Sequence, residues 1–122
     1  MRQVRSLVVK LTAGAESPEL CNQAFNVAAT AVASGADVSL WLTGEASWFA
    51  VTGNAERVAL PHAAPLGDLR DAVLSGGRVT VCTQCAARRG IDQTDLVAGV
   101  RVAGAATYVD EVLAPEAQAL VY

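Results

Sequence analysis

Apolar and polar positions alternate along this chain in two periods. Residues 4–11, VRSLVVKL, carry β-branched residues at their centre and predict a first strand. Residues 12–15 are small and read as a loop. Ser17 and Pro18 mark a helix start, because serine can cap free N–H groups and proline is tolerated at the first helical position. Leu20, Phe25, Ala28, Ala29 and Val32 then form a stripe at helical spacing, so the helix runs from about 18 to 34 and Gly35 ends it. Residues 37–42, DVSLWL, predict a second strand, and 44–51 a short helix with Trp48 and Phe49 at its end. Residues 52–65 are irregular. A helix over 65–74 stops at Ser75, Gly76 and Gly77, and 78–82 is the third strand. Further pieces follow: a short helix over 84–89 ended by Gly90, a helical turn over 92–96 capped by Asp92, a short strand over 100–103, a helix over 104–113 broken before Pro115, and a terminal strand over 117–122.

Strand and helix alternate from end to end. That order predicts a mainly parallel sheet covered by helices on both faces, with short right-handed connections. No repeat, linker or low-complexity segment interrupts it. The length, 122 residues, fits a single domain over 1–122.

Composition adjusts this picture in three ways. Hydrophobic residues are 52% of the chain and charged residues 17%, enough to fill a core and to leave apolar surface for subunit contacts. The net charge is −3 and no basic face is visible, which argues against nucleic-acid binding. The opening MRQVRSLVVKLTAG is broken by Lys10 after a few apolar residues, too soon for an export signal or a membrane span. The expected setting is the cytoplasm, and three cysteines there read as catalytic, metal-binding or buried thiols.

In parallel α/β sheets, ligands bind beyond the carboxyl ends of the strands. The loops at 12–17, 43–48 and 82–90 begin there. Cys82 and Cys85 lie in the third loop, and Cys21 lies in the first turn of the helix after the first. Were strands one and three close neighbours, all three thiols would share one edge of the sheet.

The stretch RVTVCTQCAARRGI, residues 78–91, concentrates the candidate chemistry. Cys82 leaves a strand where a helix begins, and a helix start favours an anion. Arg88 and Arg89 follow Cys85 by three and four residues, so one of them falls on its helical face. A nucleophilic sulfur or a persulfide suits these surroundings. Cys21, on a helix rich in alanine and valine, reads equally well as a small buried apolar residue. A thioredoxin-like arrangement does not fit, because the pair follows the third strand. A zinc site wants four ligands. One pair plus Cys21 and the single histidine, His62 in LPHAAP, is an incomplete set, so a metal- or ligand-binding oligomer is the alternative. Asp68, Asp71, Asp110 and Glu111 read as solvated helix faces, and TAGAES lacks the lysine of a phosphate loop.

The opening strand, loop and long helix, and above all VTVCTQCAARRGI, resemble the DsrE/DsrF-like family, which contains YchN-type proteins and sulfur-relay subunits. The likeness covers essentially the whole chain. Its most specific part is a strand-closing cysteine, then a short helix ending in Arg-Gly and an aliphatic residue: Cys82, Arg89, Gly90 and Ile91. The resemblance implies a three-layer α/β/α sandwich with a five-stranded parallel sheet, assembled as homotrimers or hexamers. It also implies that Cys82 takes up sulfane sulfur as a persulfide, from a protein or small sulfane-sulfur donor, and passes it to an acceptor without a cofactor. Cys85 has a counterpart in YchN-type members, and becomes a resolving thiol. Relay subunits generally lack that second cysteine, which weighs against tRNA-thiolation and sulfite-reductase roles. Arg88, Arg89 and Gly90 are the anion-supporting residues of this reading, and Cys21 falls outside the family pattern.

Overall fold

The structure, a computed structural model, describes residues 5–122; Val4 and the first three residues of the opening lie outside it. Five strands form one sheet: β1 (Ser6–Leu11), β2 (Asp37–Leu42), β3 (Arg78–Cys82), β4 (Arg101–Ala103) and β5 (Ala117–Val121). Their order is β4-β3-β2-β1-β5 and every pairing is parallel. The helices are α1 (Pro18–Ala33), α2 (Leu66–Gly76), α3 (Thr83–Arg88) and α4 (Ala105–Val112). Three short 3₁₀ segments, Gly44–Ala50, Ala55–Arg57 and Gln93–Asp95, fill the connections. The expected strands and helices are thus all present, with ends shifted by a residue or two.

Strand alternation sorts the sheet into two faces. Val9, Leu11, Leu40, Leu42, Val79 and Val81 are fully buried and join Phe25, Ala28 and Val73 from α1 and α2 in one core. Phe49 enters the same core edge-on to Phe25, at 5.8 Å and 84°, whereas Trp48 stays 37% exposed. The other face presents Lys10, Trp41 and Thr80 in one row across β1, β2 and β3, with Ser39 two residues before Trp41 on β2. The chain steps from β1 outward to β4 and then returns to pair β5 with the far side of β1. The element that makes this return is α4, and it lies across that second face: Tyr108 meets Trp41 edge-on at 5.3 Å.

Some expectations need correction. β2 lies between β1 and β3, so the strands carrying the first and third loops are not neighbours. Ser17 occupies the cap position of α1, but its side chain makes no capping hydrogen bond. The buried stripe of α1 is Cys21, Ala24, Phe25 and Ala28, with Ala29 and Val32 packed against the same core; only Leu20, 37% exposed, leaves the expected stripe, and Cys21 faces inward in its place.

Glu111 is the largest departure from a solvated helix face. Its Oε1 accepts from Ser39 Oγ at 2.6 Å and from Trp41 Nε1 at 2.9 Å, and its Oε2 accepts from Arg101 Nη2 at 2.6 Å. Arg101 Nε in turn donates to Thr80 Oγ1 at 2.8 Å. No residue of α4 is fully buried, so this polar network is a main attachment of α4 to the sheet.

Candidate functional site

The three loops beyond the strand ends pack on one another. Gly44 opens the second loop at φ +53°, and a Cβ there would sit 2.9 Å from the Thr12 carbonyl oxygen. Only glycine lets the second loop press this closely on the first. The approach aims the Gly44 N–H at the third loop, where it donates to Cys85 Sγ at 3.2 Å.

Cys85 is buried on the inner side of α3. Burial pushes its thiol up. The Gly44 N–H, the Cys82 side chain and the charges of Arg89 and Arg88 outweigh burial and hold it below its ordinary value. Cys82 closes β3 at the position before α3, half-buried, with no side-chain capping bond. The sequence marked Cys82 as the thiol favoured by its surroundings; the structure adds Cys85, which receives a hydrogen bond across the loops. Nothing local to VCTQC announces that bond, because its donor lies 41 residues away.

The two arginines divide. Arg89 Nε donates to Glu45 Oε2 at 2.8 Å, and its Nη1 donates to the Cys85 carbonyl at 3.0 Å. It therefore ties the second loop to α3 as well as supplying charge. Arg88 is exposed. Gly90 sits at φ +64°. Its N–H reaches the Ala87 carbonyl and the Ile91 N–H reaches the Ala86 carbonyl, the paired closure that a left-handed residue after a helix allows. Ile91 then packs against the core. The RRGI tail thus closes α3 and holds it in place.

Cys21 stands apart from this pair. It is fully buried in the α1 core, on the sheet face opposite Trp41, and its thiol faces the Ala13 and Gly14 carbonyls at 3.3 and 3.1 Å. Burial and then the Glu16 charge push it up to about 11. His62 is exposed in its loop. Among the described residues, no three His, Cys, Asp or Glu side chains gather as a metal site would require. The ligand set that would join the thiol pair to Cys21 or His62 is not assembled.

A cavity of about 380 Å³ opens beside Cys82 on the α4 face. Lys10, Trp41, Thr43, Cys82, Gln84 and Tyr108 contribute to its walls. Lys10 and Trp41 are paired across β1 and β2, and Lys10 Nζ lies 5.4 Å from the centre of the Tyr108 ring. Sequence reasoning passed over Lys10, Trp41 and Tyr108. One signal was available: a lysine in the middle of an otherwise apolar strand, which a wholly covered strand would not carry.

Among the described residues no helix is long and apolar enough to cross a membrane. Residues 5–118 match the family model described as the DsrE/DsrF-like family. The uncharacterized protein MJ0760 of Methanocaldococcus jannaschii is 29% identical over 114 residues, which are 93% of this chain and 42% of that protein. The chain therefore spans less than half the length of the curated relative it matches. The crystal structure of the YchN protein from E. coli superposes with a TM-score of 0.80 at 18% identity, covering 98% of this chain and all of that one. The protein of unknown function MTH1491 from Methanobacterium thermoautotrophicum gives a TM-score of 0.69 at 13% identity, with the same coverage. These two structures share the all-parallel five-stranded α/β fold. With its family match running from β1 into β5, the chain belongs to the DsrE/DsrF-like family.

Proposed function

We propose that this chain handles sulfane sulfur, with Cys82 as the accepting thiol and Cys85 as its proton acceptor and resolving partner. The observation that carries this reading is the pairing itself: a half-buried cysteine facing a cavity, beside a buried cysteine whose anion is stabilised by a backbone N–H and two arginines. A thiolate is the reactive form of cysteine. Cys85, held below its ordinary value, is the thiol of the pair suited to carry negative charge. Transfer of the Cys82 proton to a Cys85 thiolate creates the nucleophile at the cavity wall.

The Cys82 thiolate attacks the outer sulfur of a donor R–S–SH. A Cys82–S bond forms, the donor S–S bond breaks, and the thiolate R–S⁻ leaves. The transferred sulfur keeps its proton, so Cys82 becomes Cys82–S–SH with no net oxidation. Two exits follow. An acceptor thiolate takes the outer sulfur and returns Cys82 as thiolate. Alternatively Cys85, once its proton has passed to the departing R–S⁻, attacks Cys82 Sγ as thiolate, forming the Cys82–Cys85 disulfide and expelling HS⁻. An external dithiol must then supply two electrons to reopen it.

Donor and acceptor in this proposal are proteins or small sulfane-sulfur compounds, in a reducing cytoplasm that keeps the thiols free, and the working form is a homo-oligomer. Mass spectrometry of the Cys82 peptide after incubation with polysulfide tests the core of it. One added sulfur is expected in the wild type and none in Cys82→Ser, with longer-lived loading in Cys85→Ser. Absence of the added sulfur in the wild type, or equal loading of protein lacking Cys82, overturns the reading.

A further inference from the structure

The cavity carries chemistry that attack by Cys82 leaves unused. Lys10 is its charged wall residue, and no aspartate or glutamate joins the lining. Among the described residues Lys10 makes no salt bridge. Its ammonium rests over Tyr108, next to the edge-on Trp41–Tyr108 pair. A cation beside a half-buried tyrosine ring, with the amide of Gln84 on the same wall, fits an anion on an apolar body. The spacing is set by the sheet. Lys10 is on β1 and Cys82 on β3, with β2 between them, so their columns stand roughly 10 Å apart. A volume of about 380 Å³ holds one small molecule.

We propose that Lys10 selects the sulfur carrier: the cavity takes a low-molecular-weight organic persulfide bearing a carboxylate. The carboxylate faces Lys10, the apolar body lies along Tyr108 and Ala105, and the outer sulfur reaches Cys82. This rests on the sulfur-handling reading and names its substrate class. The transfer is the one already balanced: the carrier S–S bond breaks, the Cys82–S bond forms, and the carrier leaves as its thiolate.

Alkylation of Cys82 reads the anion site without any sulfur chemistry. The rate with iodoacetate divided by the rate with iodoacetamide, measured on the Cys82 peptide, should fall about five-fold from wild type to Lys10→Gln and be retained in Lys10→Arg. In unaltered protein the same ratio should fall as salt is raised. A ratio that matches in wild type and folded Lys10→Gln, or that is flat with salt in the wild type, overturns the assignment. A second arm compares persulfides of 3-mercaptopropionate, an anion, and cysteamine, a cation, generated in situ; the anionic one should load Cys82 faster. Equal loading removes the selectivity and leaves the sulfur reading standing. Loading by neither, while polysulfide still loads Cys82, removes the carrier assignment alone; loading by none of the three removes the sulfur reading as well.

Discussion

Cys85 and Cys21 are both buried, and their surroundings drive them in opposite directions. Cys85 is pushed up by burial but held below its ordinary value by the Gly44 N–H, the Cys82 side chain, Arg89 and Arg88. Replacing Arg89 with glutamine removes one of those charges, so Cys85 should ionise at higher pH. Titration of the cysteine ¹³Cβ shifts checks this, and an unmoved Cys85 curve would show that the arginine serves only to brace Glu45. Cys21 has no charge to help it. Its thiol is raised from 9.0 to about 11, so the folded chain favours the protonated form. The stability this contributes is complete below pH 9 and is lost as pH rises toward 11, by about 2–3 kcal/mol. Urea unfolding across pH 8 to 11 should show that loss in the wild type and a flatter profile in Cys21→Ala. The same residue shows what a sequence can and cannot tell. CxxC beside two arginines was legible as a candidate site, and a buried Cys21 as one of two equal readings. The reason Cys85 is the stabilised anion lies in a loop contact that no local spacing encodes.

α3 and α4 are short, and each depends on a few contacts that its own sequence would not sustain. α3 is six residues long and is closed by Gly90 at φ +64°. An alanine there must adopt a left-handed conformation, at a cost of about 1–2 kcal/mol. Gly90→Ala should lower the urea midpoint and speed alkylation of Cys85 as α3 loosens; slower or unchanged alkylation would mean that the loop contact from Gly44, not the helix closure, shields the thiol. α4 is pinned by Glu111. Burial pushes this carboxyl up, but Ser39, Trp41 and Arg101 outweigh it and hold it below the ordinary glutamate range. The stability it contributes is present above that range and is lost as pH falls through the folded value. Glu111→Ala strands those partners on a partly covered face, a loss of about 1–3 kcal/mol. Hydrogen exchange should then quicken first in α4. The helix itself was readable from its pattern. The inward turn of Glu111 was not, because a lone glutamate on an exposed-looking stripe gives no sign that a serine, a tryptophan and an arginine from two strands await it.

At the scale of the molecule, alternation of strands and helices was enough to specify a parallel α/β sheet, because each buried apolar run admits few other partners. Strand order was harder. Pairing β5 with β1 rather than β4 is decided by packing across the whole sheet, and with it comes the placement of α4 over the second face. That return leaves apolar side chains outside. Val109 and Leu113 of the α4 region are 46% and 76% exposed, and Leu120 and Val121 of β5 are 39% and 66% exposed. Among the described residues β5 is also an edge, with one side of its backbone unpaired by any strand. Scattered apolar surface is ordinary, but a cluster on a contacting helix and edge strand is the kind that subunits cover. A second copy of this chain is the occupant that the homo-oligomer reading requires. Val121 is paired with Lys10 across β5 and β1, so a subunit seated there would sit beside the cavity wall. Leu113→Asp combined with Val121→Asp should therefore shift the mass seen by analytical ultracentrifugation from an oligomer to the monomer. The same double variant should raise the iodoacetamide rate at Cys82, because the opening beside Lys10 loses its neighbour. A wild type that sediments as a monomer rejects this assembly at once, whereas an oligomer that survives both aspartates places the interface elsewhere on the fold.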